Sequence, residues 1–332
     1  MNARPKISVV VFTYNQQDTI AQTLDSVIGQ HGDFELEVVV GEDCSADNTW
    51  DICNDYQRRY PDVVRLLPNE KNLGIMANFA RTVKASTGNY LAILAGDDYW
   101  CDDHKLQKQL HFMQEHPEYG VVCTNGYRLM VQSGKLIEGI APFEPVPDGD
   151  VSRYYYDRYG GVYAMPLSLL IRMDLMQFVD LEEYIRLGFP VEDYPMQSVL
   201  AHHTRFGYLP DKTVVYWVHQ ESATFVSYDH PRYMDYHQGL ASIRRYLHAL
   251  FPDDVPFTEE WATDYVFYKE FLLHLHRHDY GKAKELVNKA PATIRSSSHF
   301  RQAQRATRTR LLFWLFRYHK EIKTNKNIKK RL

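Results

Sequence analysis

Between residues 6 and 100 the chain alternates short apolar, β-branched runs with amphipathic stretches, and this alternation restricts its folds more than any other feature. "ISVVVFTY", "FELEVVVGEDCS", "VVRLLPN" and "LAILAG" read as strands, the last apolar on both faces as a covered parallel strand should be. In "DTIAQTLDSVIGQHG" the residues Ile20, Leu24, Val27 and Ile28 share one helical face, with Asp18 expected as N-cap and Gly32 as the stop. "SADNTWDICNDYQRRYP" predicts a capped helix ended by Pro61, and "NLGIMANFARTVKASTG" a helix over Ile75, Phe79 and Val83 that ends at Gly88. Strands and helices joined by short connections imply right-handed βαβ units, hence an α/β fold with a mostly parallel, Rossmann-like sheet flanked by helices.

Ligands of such sheets bind in the crevice beyond the carboxyl ends of the strands. The strand ends here are "TYN", "GEDCS" and "AGDDYW", so polar and acidic groups gather on one edge. No GxGxxG follows the first strand and no GxxxxGK[ST] occurs, which removes the main support for dinucleotide and P-loop readings. Asp97 and Asp98 are adjacent like charges at the end of a buried run, a placement best stabilised by a divalent cation. Two carboxylates suit Mg²⁺ or Mn²⁺, which accept one or two such ligands together with substrate phosphates and water. The plainer alternative is a helix N-cap beside a surface aspartate. The preceding buried run and a second acidic strand end at Glu42-Asp43 favour the metal.

Further along, a helix over Leu106, Leu110 and Met113 precedes a hairpin turning at Ser133-Gly134, then a long loop over 141–165 with a tyrosine cluster. "AMPLSLLIRMDLM" is a renewed apolar run, "FPVEDYPMQSVLAHH" a helix start bearing Glu192 and Asp193, and "FGYLPDKTVVYWVH" a strand or hairpin ending in His219. From about residue 230 the pattern is helical, which gives an expected domain over 1–225 and a C-terminal helical appendage over 226–332. Beyond Ser298 eleven Lys and Arg stand against Glu321, interleaved with Leu311, Leu312, Phe313, Trp314 and Phe316. That composition suits peripheral contact with anionic lipid at a membrane surface, or a helical end packing one apolar face on the domain.

A net charge of -4 argues against general nucleic-acid binding. The four cysteines form no CxxC pair and read as reduced thiols. No apolar segment before Asn15 is long enough for a secretory signal, and "LLFWLF" is too short to span a bilayer, so a cytoplasmic protein is expected.

Four segments in order, "SVVVFTYNQQDTIAQTLDSVIGQ", "EVVVGEDCSADNT", "NLGIMANFARTVKASTGNYLAILAGDDYW" and "EDYPMQSVLAHHTRFGYLPDKTVVYWVH", resemble family 2 glycosyltransferases of the GT-A fold. The resemblance covers the first 220 residues. It implies a nucleotide-sugar donor, usually a UDP-sugar, and transfer with inversion. By this resemblance Thr13, Tyr14, Asn15 and Asn72 contact the nucleotide, Tyr14 stacking on the base, and Asp43 accepts a hydrogen bond from the base ring N–H. Asp97 and Asp98 fall on the family's DXD region, which binds ribose and the metal–diphosphate, with Asp98 and His219 as metal residues. Asp193 matches the catalytic base, with Glu192 supporting it. The chain departs from the family pattern at Ala95, where the first DXD-region aspartate is common, at "GEDCS" for "VDDGS" and at Trp217 for an arginine. The family's common "ARN" is also absent, leaving Asn78 and Arg81 as substitutes. The implied role is transfer to a glycan or lipid-linked acceptor in bacterial surface polysaccharide synthesis, at the inner face of the cell membrane. A nucleotide-sugar-binding protein without efficient turnover is the alternative that Ala95 suggests. A glycoside hydrolase with paired carboxylates fits poorly, because its acids would lie on nucleotide-site strand ends.

Overall fold

β1 (Lys6–Thr13) is inaccessible from Ile7 onward, so it must lie inside a sheet covered on both faces. The computed structural model describes residues 4–139, 165–218 and 228–331, with side chains described as far as residue 320. β2 (Glu35–Glu42) and β4 (Tyr90–Ala95) flank β1 in parallel, and β3 (Val64–Pro68) extends the sheet beside β2. The helices α1 (Ile20–Ile28), α2 (Thr49–Arg59) and α3 (Ile75–Ala85) make the connections, which is the βαβ arrangement the periodicity predicts. Among the described residues the strands form one nine-stranded sheet, one end of which has the order β3-β2-β1-β4.

The second half of the sheet is mixed. β6 (Tyr119–Met130) and β7 (Lys135–Glu138) form the expected hairpin, and Gly134 supplies the positive φ of 64° that its turn requires. The run "AMPLSLLIRMDLM" divides into two short 3₁₀ turns around a three-residue strand, β8 (Leu170–Arg172), which pairs antiparallel with β4 and β6. "FGYLPDKTVVYWV" is one strand, β9 (Arg205–Val218), parallel to β6 with irregular register and antiparallel to the short β5 (Tyr99–Trp100). β9 thereby runs directly past the residues that follow β4.

Val9, Val11, Val38, Val40, Ala92 and Leu94 meet Ile20, Leu24 and Val27 of α1 in the main core, each 0% exposed. On α3, Phe79 packs edge-to-face on Phe12 with ring centroids 5.7 Å apart. Local signals misplace some helix ends. The N-cap of α1 is Thr19 rather than Asp18, and the helix stops at Gly29 rather than Gly32, where the chain turns so that His31 N–H reaches the carbonyl of Asp103 at 2.7 Å. α3 ends at Ser86, two residues before Gly88.

Contacts divide the chain into two compact units, Met1–His219 and Gln220–Leu332. In the second, α7 (Tyr233–Leu250), α8 (Glu259–His276), α9 (Tyr280–Lys289), α10 (Ser298–Ala306) and α11 (Arg310–Arg331) follow one another. Thr258, Asp279 and Ser297 cap α8, α9 and α10 through side-chain oxygens. Phe271, Ala283, Ile294, Phe300, Ala303 and Phe313 form this unit's core. The tyrosine cluster at 154–159 and His219 lie outside the described residues.

Candidate active site

The carboxyl ends of β1, β2 and β4 lie side by side, because Thr13 is in register with Glu42, and Phe12 with Ala95. Backbone bonds continue past the strands: Asp43 N–H donates to Thr13 O at 3.0 Å and Gly96 N–H to Phe12 O at 3.1 Å. Thr13, Tyr14, Asn15, Asp43, Asp97 and Asp98 are thus neighbours on one edge, as the alternating pattern requires.

Two non-glycine residues here adopt positive φ, Asn15 at 53° and Cys44 at 59°. Asparagine tolerates that region, whereas a cysteine there costs about 1 kcal/mol and must be held by its surroundings. The buried carboxylate of Glu42 does this, accepting from Cys44 N–H at 3.1 Å and Ser45 N–H at 2.8 Å. Asn15 ties the two loops together: its N–H donates to Ser45 Oγ at 2.9 Å and its Oδ1 accepts from Ala46 N–H at 2.8 Å. Tyr14, between these anchored neighbours, leaves 46% of its surface to solvent, so its ring is available to a planar ligand.

Asp43 is buried and already engaged. Its carboxylate accepts from Leu73 N–H at 2.8 Å, Gly74 N–H at 2.9 Å and Asn69 Nδ2 at 2.9 Å. A carboxylate offers roughly four acceptor positions, so about one remains for a ligand. Asp43 therefore anchors the segment between β3 and α3, which carries the exposed Asn72. Asn72 Oδ1 also accepts from Gly74 N–H, at 3.1 Å. Asn78 and Arg81 belong to this anchor: Asn78 Nδ2 donates to Gly41 O at 2.8 Å, and Arg81 donates to Asn69 Oδ1.

After β4 the chain makes a tight passage. A Cβ on Gly96 would lie 2.5 Å from Gln16 Oε1 and 2.6 Å from Thr13 Oγ1, so only glycine lets this turn approach the end of β1. Two hydroxyls of α1 hold it, a feature that sequence reading missed. Thr19 Oγ1 donates to Gly96 O at 2.8 Å, and Thr23 Oγ1 contacts Gly96 O at 3.0 Å and Asp98 O at 2.7 Å. The available signal was two threonines at i and i+4 on the apolar side of α1.

Asp98 is buried at 4% exposure, and its Oδ1 accepts from Trp217 N–H of β9 at 2.9 Å. Burial, then the Asp97 charge, pushes its carboxyl well above the usual range, opposed only in part by the Trp217 bond. An excess of negative charge with an oxygen donor to spare is the environment that a hard divalent cation relieves. Asp97, half-buried at the edge of this region, is a second carboxylate beside it. Another grouping, Asp102, Asp103 and His104, brings ligand-type atoms within 4.8 Å of one another. There Asp102 is ion-paired to Lys108 at 2.6 Å, so its charge is already matched.

α6 (Asp193–Ala201) follows α5 (Leu181–Arg186) and begins with the acidic pair. Glu192 and Asp193 are both buried, and Asp193 Oδ1 accepts from Tyr194 N–H at 2.7 Å. Burial, then the neighbouring Asp193, pushes the Glu192 carboxyl up to about 8, so it holds its proton at neutral pH.

Lys105, at the start of α4 (Lys105–Glu115), is fully buried below the Trp100 ring, 4.3 Å from its centroid. Its Nζ donates to Gln109 Oε1 at 2.8 Å, while Gln109 Nε2 reaches the carbonyls of Val122 and Ser168. Lys105 thus fixes the segment after the acidic turn onto β6, and burial lowers its ammonium to about 7.

Residues 8–135 match the model of the family described as glycosyl transferase family 2. The match lies within the N-terminal unit. The teichuronic acid biosynthesis glycosyltransferase TuaG of Bacillus subtilis, a protein described as putative, is 36% identical over 138 residues, 41% of this chain and 52% of that protein. The chain spans between 37% and 52% of the length of the first curated relatives it matches. Among solved structures, S. aureus TarS in complex with UDP-GlcNAc superposes with a TM-score of 0.55 at 18% identity, over 97% of this chain and 92% of that one. The mannosyltransferase PcManGT of Pyrobaculum calidifontis, in complex with GDP-Man and Mn²⁺, gives 0.50 at 17% identity, over 97% and 88%. These likenesses establish a shared GT-A glycosyltransferase fold.

Proposed function

We propose that the protein is an inverting glycosyltransferase that moves a sugar from a UDP-sugar to a glycan or lipid-linked acceptor in bacterial surface polysaccharide synthesis. One observation carries this reading: the buried, charge-burdened Asp98 beside Asp97 at the end of β4, on the strand edge that Tyr14 and Asp43 share. The polysaccharide role is supported by the match to TuaG, and a UDP-sugar donor by the likeness to TarS. The likeness to PcManGT with Mn²⁺ agrees with a divalent metal here.

Asp97 and Asp98 would hold Mg²⁺ or Mn²⁺, with His219, outside the described residues, as the third candidate. Bound there, the ion would offset the negative charge of the leaving diphosphate. Tyr14 stacks on the base, Asn15 and Asn72 line the nucleotide, and Asp43 keeps its remaining acceptor position for the base ring N–H while holding the 69–74 segment in place. An acceptor hydroxyl is a weak nucleophile at neutral pH and needs a base within reach. Asp193 takes this role, because Glu192 retains its own proton near neutrality and accepts another poorly. Displacement from the face opposite the diphosphate inverts the anomeric centre. Among the described residues no helix is long and apolar enough to cross a membrane. A lipid-linked acceptor would be met by peripheral contact at the inner membrane face.

Asp193→Asn keeps size and hydrogen bonding but cannot take the proton. Its turnover should fall by roughly 10²–10⁴-fold while UDP binding by calorimetry stays near wild type. Near-normal transfer by this variant at saturating acceptor would place the base elsewhere.

A further inference from the structure

The last helix of the second unit, α11, has two apolar faces where a helix packed on one side needs only one. Phe313 is buried at 5% exposure, and with Phe316 it closes the core around Phe271. Lys320, one turn further, donates through Nζ to Tyr268 Oη at 2.8 Å. These positions share one side of the helix. The opposite side carries Leu311, Leu312, Trp314, Leu315 and Tyr318, which are 65%, 41%, 53%, 45% and 54% exposed. Trp314 and Tyr318 stack on each other at 5.7 Å between centroids, an i, i+4 pair that makes one continuous aromatic surface.

We propose that this outward face of α11 docks in the plane of an anionic phospholipid bilayer. A solvated helix end has no use for five large apolar residues on its water side, whereas an interfacial helix requires them. The charge selects the occupant. Arg308 and Arg310 are exposed where α11 begins, and Lys323, Lys326, Lys329, Lys330 and Arg331 follow along the helix, with Glu321 the only acid beyond Ser298. A second copy of the chain would bring two such basic helices together and repel, while a surface of phosphatidylglycerol complements them. Trp and Tyr, apolar bodies with polar tips, suit the boundary between headgroups and acyl chains. The proposal concerns the second unit alone and stands whether or not the first transfers sugar.

The experiment is sedimentation of the full chain with vesicles, without nucleotide, metal or acceptor. Wild type should bind vesicles of equal phosphatidylglycerol and phosphatidylcholine and leave pure phosphatidylcholine vesicles in solution. Trp314→Gln combined with Leu315→Gln, both at exposed positions, should weaken binding by roughly ten- to a hundredfold, with unchanged helicity and melting temperature. Arg308→Glu with Arg310→Glu, which leaves the apolar face intact, should also weaken it. Wild-type binding by the Gln variant overturns the proposal. So does a wild type that ignores anionic vesicles, or one that forms a dimer which the Gln variant abolishes.

Discussion

Glu192 is the residue whose charge state most directly tunes the proposed chemistry. Its folded value of about 8 lies above the unfolded value near 4.3, so the folded chain binds the extra proton between the two. The stability this proton contributes is full below the unfolded value and is lost as pH rises through 8. Glu192→Gln keeps the protonated shape and removes the titration. The variant should match wild type in acid and become the more stable protein above pH 8, measured by urea unfolding across that range. Parallel stability curves for the two proteins would mean that Glu192 is not held protonated. Thr23 acts at the acidic turn. Its hydroxyl binds two carbonyls of the acidic turn, so Thr23→Val leaves buried acceptors unmatched and should cost about 1–3 kcal/mol of unfolding free energy.

The segment between β3 and α3 holds its shape through Asp43, which gathers two backbone N–H groups and Asn69. Asp43→Ala removes that anchor together with the candidate base contact, so UDP affinity should fall by about ten- to a hundredfold in calorimetry. Asp43→Asn retains part of the anchor and loses the charge, and should fall in between; unchanged UDP affinity in both would make Asp43 purely structural. The elements around this segment were readable in the sequence wherever a long run had one period. β1, β2 and β4 are continuous apolar runs because both faces are covered, and α1, α2 and α3 bury one stripe each. β8 was not readable: three residues carry no period, and its antiparallel place beside β4 is fixed only by tertiary pairing. The caps of α1 failed for a related reason, since Thr19 spends its hydroxyl on Gly96 rather than on its own helix. Among the candidate site residues, sequence patterns brought out the acids at strand ends. They could not show that Asp43 already has three donors, or that a neighbouring strand delivers Trp217 N–H to Asp98.

The whole molecule joins a unit that matches glycosyl transferase family 2 over residues 8–135 to a helical unit with its own core, and each has its own test. The helical unit depends on Phe271, 0% exposed at its centre, and Phe271→Ala should cost about 3–5 kcal/mol. The account of the first unit rests on the acidic turn being a metal–diphosphate site. The most direct measurement is nucleotide release from a panel of UDP-sugars by the purified full chain, with Mn²⁺ or Mg²⁺, with excess EDTA, and with Asp98→Asn. Release with at least one donor, abolished by EDTA and largely lost in the variant while thermal stability is kept, is the predicted result. Full release in EDTA, or an Asp98→Asn protein as active as wild type, would contradict it.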